Sequence, residues 1–144
     1  METKEMGRIV TEATIENLED LYDVRRGRLA GDQARRVTVK DALVDTGATT
    51  LGLPTRLIRQ LGLVKFYSRR LAGIHGTSEV DLYETVRLTI MDRKVNVDVM
   101  EVPDQVPVLI GQIPLEHLDF VVDPRSQRLI GNPAHGGEHM FELY

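Results

Sequence analysis

The chain has 144 residues, the size of one ordinary domain, and its 42% hydrophobic and 28% charged residues read as globular, neither disordered nor membrane-spanning. Its 18 basic and 22 acidic side chains leave a formal net charge of −4, which gives no electrostatic reason to expect nucleic acid as a partner. The absence of cysteine excludes disulfides, thiol nucleophiles and cysteine–metal sites, and no apolar run reaches the roughly 18–20 residues that cross a bilayer.

The first 20 residues carry six acidic side chains and no apolar stretch, so no secretory signal is expected and the cytoplasm is the simplest compartment. Ile9, Thr11, Ala13 and Ile15 then alternate with polar neighbours, which predicts a half-buried strand from Gly7 to Ile15. The same period of two recurs at Val37, Val39 and Leu43. A helix is expected from Pro54, with Leu57, Ile58 and Leu61 on one face and Gly62 closing it, followed by a strand at Leu63–Phe66. Strands at Val80–Ile90 and Val95–Val99 flank the polar connection Met91-Asp92-Arg93-Lys94, the pattern of a hairpin. Val108-Leu109-Ile110 is apolar, Pro114 opens a turn carrying Leu115 and Leu118, and Phe120-Val121-Val122 reads as a strand. No composition shift marks a boundary, so residues 1–144 form one mostly-β domain. The order strand, glycine turn, helix, strand occurs twice, once through Gly47 and Pro54 and once through Gly111 and Pro114.

The sharpest local feature is Ala42-Leu43-Val44-Asp45-Thr46-Gly47-Ala48. A carboxylate at the end of a buried strand needs polar partners, and a tight turn can supply backbone N–H groups and the Thr46 hydroxyl. An ordinary strand-end turn would read the same way, so the tripeptide alone is only suggestive. Its context says more. Ala42 to Leu53, together with Val108-Leu109-Ile110-Gly111, resembles the retropepsin-type aspartic proteases, the group containing the retroviral proteases and their cellular and bacterial relatives. The likeness covers about residues 37–131.

The resemblance implies an all-β, retropepsin-like acid-protease fold with ψ-shaped loops and one or two short helices. It implies an aspartic endopeptidase in which two carboxylates share one proton around a water, with no metal or organic cofactor. Asp45, Thr46 and Gly47 would be the catalytic loop: Asp45 the acid–base group, Thr46 bonding across a two-fold axis, and Gly47 admitting the substrate backbone. Only one Asp-Thr-Gly occurs, and the position matching it in the second half falls near the apolar Leu109 and Ile110. The dyad would therefore need Asp45 from each chain of a homodimer. Ala48, Thr49, Leu109, Ile110 and Gly111 would line the substrate site, which is expected to be mostly apolar near Leu51, Ile74 and Val108. The lid would be a hairpin from Leu71 to Tyr83 with Gly73-Ile74-His75-Gly76-Thr77 at its tip, where Gly73, Ile74, His75 and Gly76 would contact protein or peptide substrate, unless His75 faces solvent or this is a plain surface hairpin.

Two departures from the viral pattern stand out: Thr49 and Gln112 occupy places that many retroviral relatives give to a supporting Asp–Arg pair. In the tail, His135-Gly136-Gly137-Glu138-His139 superficially resembles a metal pair, but adjacent glycines disfavour a helix and no third ligand is evident. Met140, Phe141, Leu143 and Tyr144 are too apolar to dangle in water; the tail, the strand from Gly7 to Ile15, or both would join the dimer or pack on their own domain. The basic clusters at Arg25–Arg28, Arg35-Arg36 and Arg69-Arg70 are interleaved with acids and read as a solvated face. A non-catalytic dimeric binding or regulatory module on the same fold, or a protease that processes only its own N-terminal segment, are the competing functions.

Overall fold

The alternating burial expected from the sequence runs through a computed structural model that describes residues 8–73 and 76–140. β1 (Val10–Asn17) buries Ala13, Ile15 and Asn17 and leaves the residues between half-buried, and β2 (Arg36–Val44) buries Val37 and Ala42. β3 (Leu51–Pro54) is buried on both faces, as a central strand must be. β4 (Lys65–Gly73) is exposed along its whole length, whereas β5 (Gly76–Ile90) passes from exposed at its start to alternately buried at Val86, Leu88 and Ile90. β6 (Arg93–Val102), β7 (Leu109–Ile110), β8 (Phe120–Asp123) and β9 (Arg128–Gly131) complete the strands.

Three short helices intervene. α1 (Leu18–Arg25) was not legible in the hydrophobic pattern; it begins at the Asn17 cap, whose side-chain oxygen accepts the Asp20 N–H, and carries acids in its first turn. α2 (Thr55–Leu61) starts one residue after Pro54, which ends β3, and is closed by Gly62 in a left-handed conformation (φ 66°). α3 (Gln112–Leu118) begins two residues before Pro114, because Gly111 is its cap. Among the described residues no helix is long and apolar enough to cross a membrane.

Seven strands form one sheet in the order β1-β2-β7-β3-β6-β5-β4. β1 also pairs with β5 through Thr14–Asn17, which closes six strands into a barrel and leaves β4 outside, bonded only to the first half of β5. The β5–β6 hairpin turns at Met91-Asp92, where the sequence places it. β8 and β9 form a separate two-stranded sheet. Ile15, Leu51, Leu53, Leu61, Leu88, Ile90, Ile110 and Leu118 fill the core with no exposed surface. This is an all-β, retropepsin-like half-lobe.

The internal repeat has a structural basis, with a shifted register. β7 lies between β2 and β3, parallel to the first and antiparallel to the second; β3 lies between β7 and β6, parallel to β6. Each strand–loop–strand unit, β2–β3 and β6–β7, thus has a strand of the other threaded between its arms, and each is followed by a helix. The counterpart of β7 is therefore β3. The segment answering to the Asp45 loop is 103–108, not Leu109-Ile110.

Candidate active site

Asp45 follows the last residue of β2, where that strand is anchored on both sides. Leu43 N–H donates to Val108 O (2.7 Å), Val44 N–H to Ile9 O (2.8 Å) and Asp45 N–H to Ile110 O (3.0 Å). The chain then doubles back over Thr46, Gly47, Ala48, Thr49 and Thr50. Gly47 N–H donates to Asp45 Oδ1 (3.0 Å) and Ala48 N–H to Asp45 O (3.0 Å), so the carboxylate has the backbone partner that the turn was expected to supply. Asp45 is half-buried, with Thr46 and Gly47 exposed beside it.

The rest of the loop is clamped from below by the start of α3. Gly111 N–H donates to Thr50 O (3.1 Å), Gln112 N–H to Ala48 O (2.8 Å) and Ile113 N–H to Thr49 O (2.9 Å), while Thr50 Oγ1 donates to Asp98 O (2.7 Å). Gly111 is required by space alone: a Cβ there would strike Thr50 O and lie 2.7 Å from Ala48 O and 2.8 Å from Thr49 C, all of them backbone atoms. Here the departure at Thr49 and Gln112 is resolved, since the loop–helix connection runs through backbone and the Gln112 side chain turns to Glu116 Oε1 (2.8 Å).

The substrate residues carried over by resemblance separate into three groups. Ala48 and Thr49 stand on the Asp45 loop and Gly111 beneath it. Ile110 is 0% exposed and Leu109 half-buried, so Ile110 is a core residue supporting the loop rather than a wall of the cleft. Gly73 and Gly76 are the last paired residues of the β4–β5 hairpin, which begins at Lys65 and so is longer than expected; Ile74 and His75 lie outside the described residues.

Beside the loop, a groove of about 470 Å³ runs between Thr49 and Thr50, the β4–β5 hairpin, β6 and α3. Leu51 (0% exposed) and Val108 (4%) belong to the core and do not line it. Its walls are mixed rather than plainly apolar: Tyr67, Arg69 and Leu71 from β4, Val80 and Leu82 from β5, and Asp98 from β6. Sequence reasoning assigned Arg69 to a solvated face and missed Ile113 and His117, which α3 brings to the groove. The available signal was parity: Tyr67, Arg69 and Leu71 share one side of β4.

A second polar cluster holds the tail. Asp119, the buried left-handed cap of α3 (φ 60°), accepts from Asn132 Nδ2 (3.1 Å) and Met140 N–H (3.1 Å) and contacts His135 Nδ1 (2.6 Å). Burial pushes its carboxyl up, but these hydrogen bonds, led by that of His135, outweigh it and hold the pKa at about 2. Arg93 spans the same region, donating to Leu118 O, Asp119 O and Gly137 O. Residues 132–140 therefore pack on their own domain; Phe141, Leu143 and Tyr144, like Gly7, lie outside the described residues. β1 is likewise paired within the chain, to β2 and β5. Among the described residues, no three His, Asp or Glu side chains gather as metal ligands would.

Interlocked ψ-units, an Asp-Thr-Gly-Ala loop clamped on an apolar-apolar-Gly strand, and a hairpin over the adjoining groove define the acid-protease class. The family model described as aspartyl protease matches residues 26–113, and the chain belongs to this retropepsin-like family of aspartic proteases. No protein of curated function matches it.

Proposed function

We propose that the chain is an aspartic endopeptidase whose dyad is Asp45 from each of two copies related by a two-fold axis. The observation that carries this reading is the topology around Asp45. The loop at 103–108 that answers to it follows β6, whose end pairs with the end of β3 at Pro54, whereas Asp45 sits by the start of β3 at Leu51. Four residues of extended chain put about 10 Å between those levels. Asp104 in that loop is already committed, its Oδ1 accepting the Arg56 N–H at the start of α2 (2.8 Å). A partner for Asp45 from the matching loop of the same chain is thereby disfavoured, and a second copy supplies one.

In that dimer two carboxylates about 3 Å apart share one proton, because both cannot ionise cheaply at that distance. The ionised one takes a proton from a water as its oxygen bonds to the scissile carbonyl carbon, and the protonated one donates to the carbonyl oxygen. The tetrahedral diol collapses when a proton reaches the amide nitrogen and the C–N bond breaks, returning the dyad to its shared-proton state. Gly47 N–H, bonded to Asp45 Oδ1, fixes the carboxylate orientation for this exchange.

The test runs sedimentation equilibrium and cleavage of an unstructured protein on the same samples, for wild type and Asp45→Asn. Activity that rises with the dimer fraction and disappears in the variant, while the variant still dimerises, is the expected result. A wild type that cleaves as a monomer overturns the shared dyad; a stable dimer without cleavage across a pH series overturns proteolysis in favour of a binding module.

A further inference from the structure

The chain as a whole is acidic, yet the groove beside Asp45 is not. Its ionisable lining consists of Arg69, Arg70, His117 and a single carboxylate, Asp98. Asp98 accepts from Thr85 Oγ1 (2.8 Å), and no carboxylate among the described residues lies in ion-pair distance of either arginine. The two arginines are not equivalent. Arg70 is opposite Glu79 in the β4–β5 register and its guanidinium reaches Thr77 Oγ1 (3.4 Å). Arg69 is opposite Val80, on the side of the hairpin shared with Tyr67, Leu71 and Leu82, and is stacked 5.4 Å from the Tyr67 ring centre. A guanidinium stacked on an aromatic face, in a groove also lined by the apolar Leu82, Met100 and Ile113, presents its donors in a fixed fork that a carboxylate matches bidentately. A substrate seated in the groove would cover that pair and remove much of the solvent screening that weakens exposed ion pairs.

We propose that Arg69 selects protein or peptide substrates carrying a Glu or Asp side chain at the subsite beneath the β4–β5 hairpin. The inference rests on the reading of the chain as an aspartic endopeptidase and names a substrate class for it. The recognition is electrostatic and local, so it belongs to one substrate position and falls as salt rises.

The experiment uses the full chain at concentrations where wild type is dimeric, with a series of fluorogenic peptides differing by Glu, Gln or Lys at one position at a time. Wild type should prefer Glu over Gln by about tenfold in kcat/KM at one position, equivalent to about 1.4 kcal/mol, expressed mainly in KM. Arg69→Ala should bring that ratio near one and Arg69→Glu should invert it in favour of Lys. Arg28→Glu, which makes the same change of net charge at a residue outside the groove, should leave it intact. The same peptides are titrated onto Asp45→Asn for binding. Cleavage with Glu and Gln within twofold at every position, or a preference unmoved by Arg69→Glu, overturns the acidic selection and leaves proteolysis standing. No cleavage, with a Glu preference in binding that Arg69→Glu abolishes, overturns proteolysis and keeps the acidic selection as a binding property. No cleavage and no binding preference overturns both.

Discussion

Gly111→Ala isolates the connection between the Asp45 loop and the start of α3 beneath it. The backbone at Gly111 (φ −84°, ψ −176°) is open to any residue, so the substitution introduces no conformational strain of its own. The only new element is a methyl group, and it would lie 2.7 Å from Ala48 O, about 0.7 Å inside the 3.4 Å at which ordinary Cβ contact begins. Thr50 O and Thr49 C crowd it as well, and all three are backbone, so no side chain can swing aside. Relief requires the loop to lift, lengthening the bonds that Gly111, Gln112 and Ile113 donate to Thr50, Ala48 and Thr49. Overpacking of this kind costs about 1–3 kcal/mol, which for 144 residues is a fall in Tm of about 3–10 °C. A misplacement approaching 1 Å at a catalytic group costs on the order of 10²-fold in rate, so kcat should fall by roughly 10- to 100-fold with KM less affected. Urea unfolding and peptide cleavage of the same preparation are the assay. Gly31→Ala is the control, since its Cβ would meet only Val24 Cγ1 at 4.0 Å without a positive φ, and it should be neutral or slightly stabilising. A Gly111→Ala protein as stable as wild type within about 0.5 kcal/mol, with undiminished kcat, would refute the clamp.

Asn17→Ala should cost about 2–3 kcal/mol in urea unfolding with an unchanged m-value, because the buried amide both caps α1 through Asp20 N–H (2.9 Å) and donates to Leu61 O (2.8 Å). The Asp119 carboxyl, lowered from 3.8 to about 2, binds its proton less readily folded than unfolded, so its contribution to stability is full above about pH 4 and is lost as pH falls toward 2. Unfolding measured at steps between pH 6 and pH 2 should accordingly show a decline in that window that is shallower in Asp119→Asn; equal slopes would remove the carboxylate from the account. Because Asp119 also receives the Met140 N–H, the variant should expose residues 132–140 to limited proteolysis before the barrel.

How far the sequence disclosed the molecule follows from how far apart in the chain the cooperating residues lie. The strand pattern was legible because Ile15, Leu88 and Val97 alternate with less buried, mostly polar neighbours inside one segment each. The Asp45 loop was legible for the same reason: its carboxylate, its Gly47 partner and its return bond from Ala48 are contiguous. α1 escaped because its definition is a capping interaction, Asn17 to Asp20, rather than a strong apolar face, and only two of its residues, Leu18 and Asp20, are buried. The repeat was visible but misregistered, since Leu109-Ile110-Gly111 resembles the Asp45 turn in composition while its topological equivalent is β3.

The groove was the least legible part, and the reason is physical rather than statistical. Its residues come from four stretches, Thr49–Thr50, Tyr67–Leu71, Val80–Met100 and Ile113–His117, which adjoin only after β7 has threaded between β2 and β3 and carried α3 against the loop. Charge balance over the chain conceals what that folding does locally. Of the acids across the hairpin from Arg69 and Arg70, Asp81 is held by Ser68 (2.8 Å) and Lys65 (3.2 Å), and Glu79 stands opposite Arg70 rather than Arg69. Arg69 shares the groove with the apolar Leu82, Met100 and Ile113 and has the Tyr67 ring as its support. A mixed-sign stretch that reads as a solvated face in one dimension becomes, once the hairpin pairs Arg69 with Val80, a cationic spot within the cleft. On the proposal made for Arg69, selectivity would be set by the pairing register of the β4–β5 hairpin as much as by the Asp45 loop.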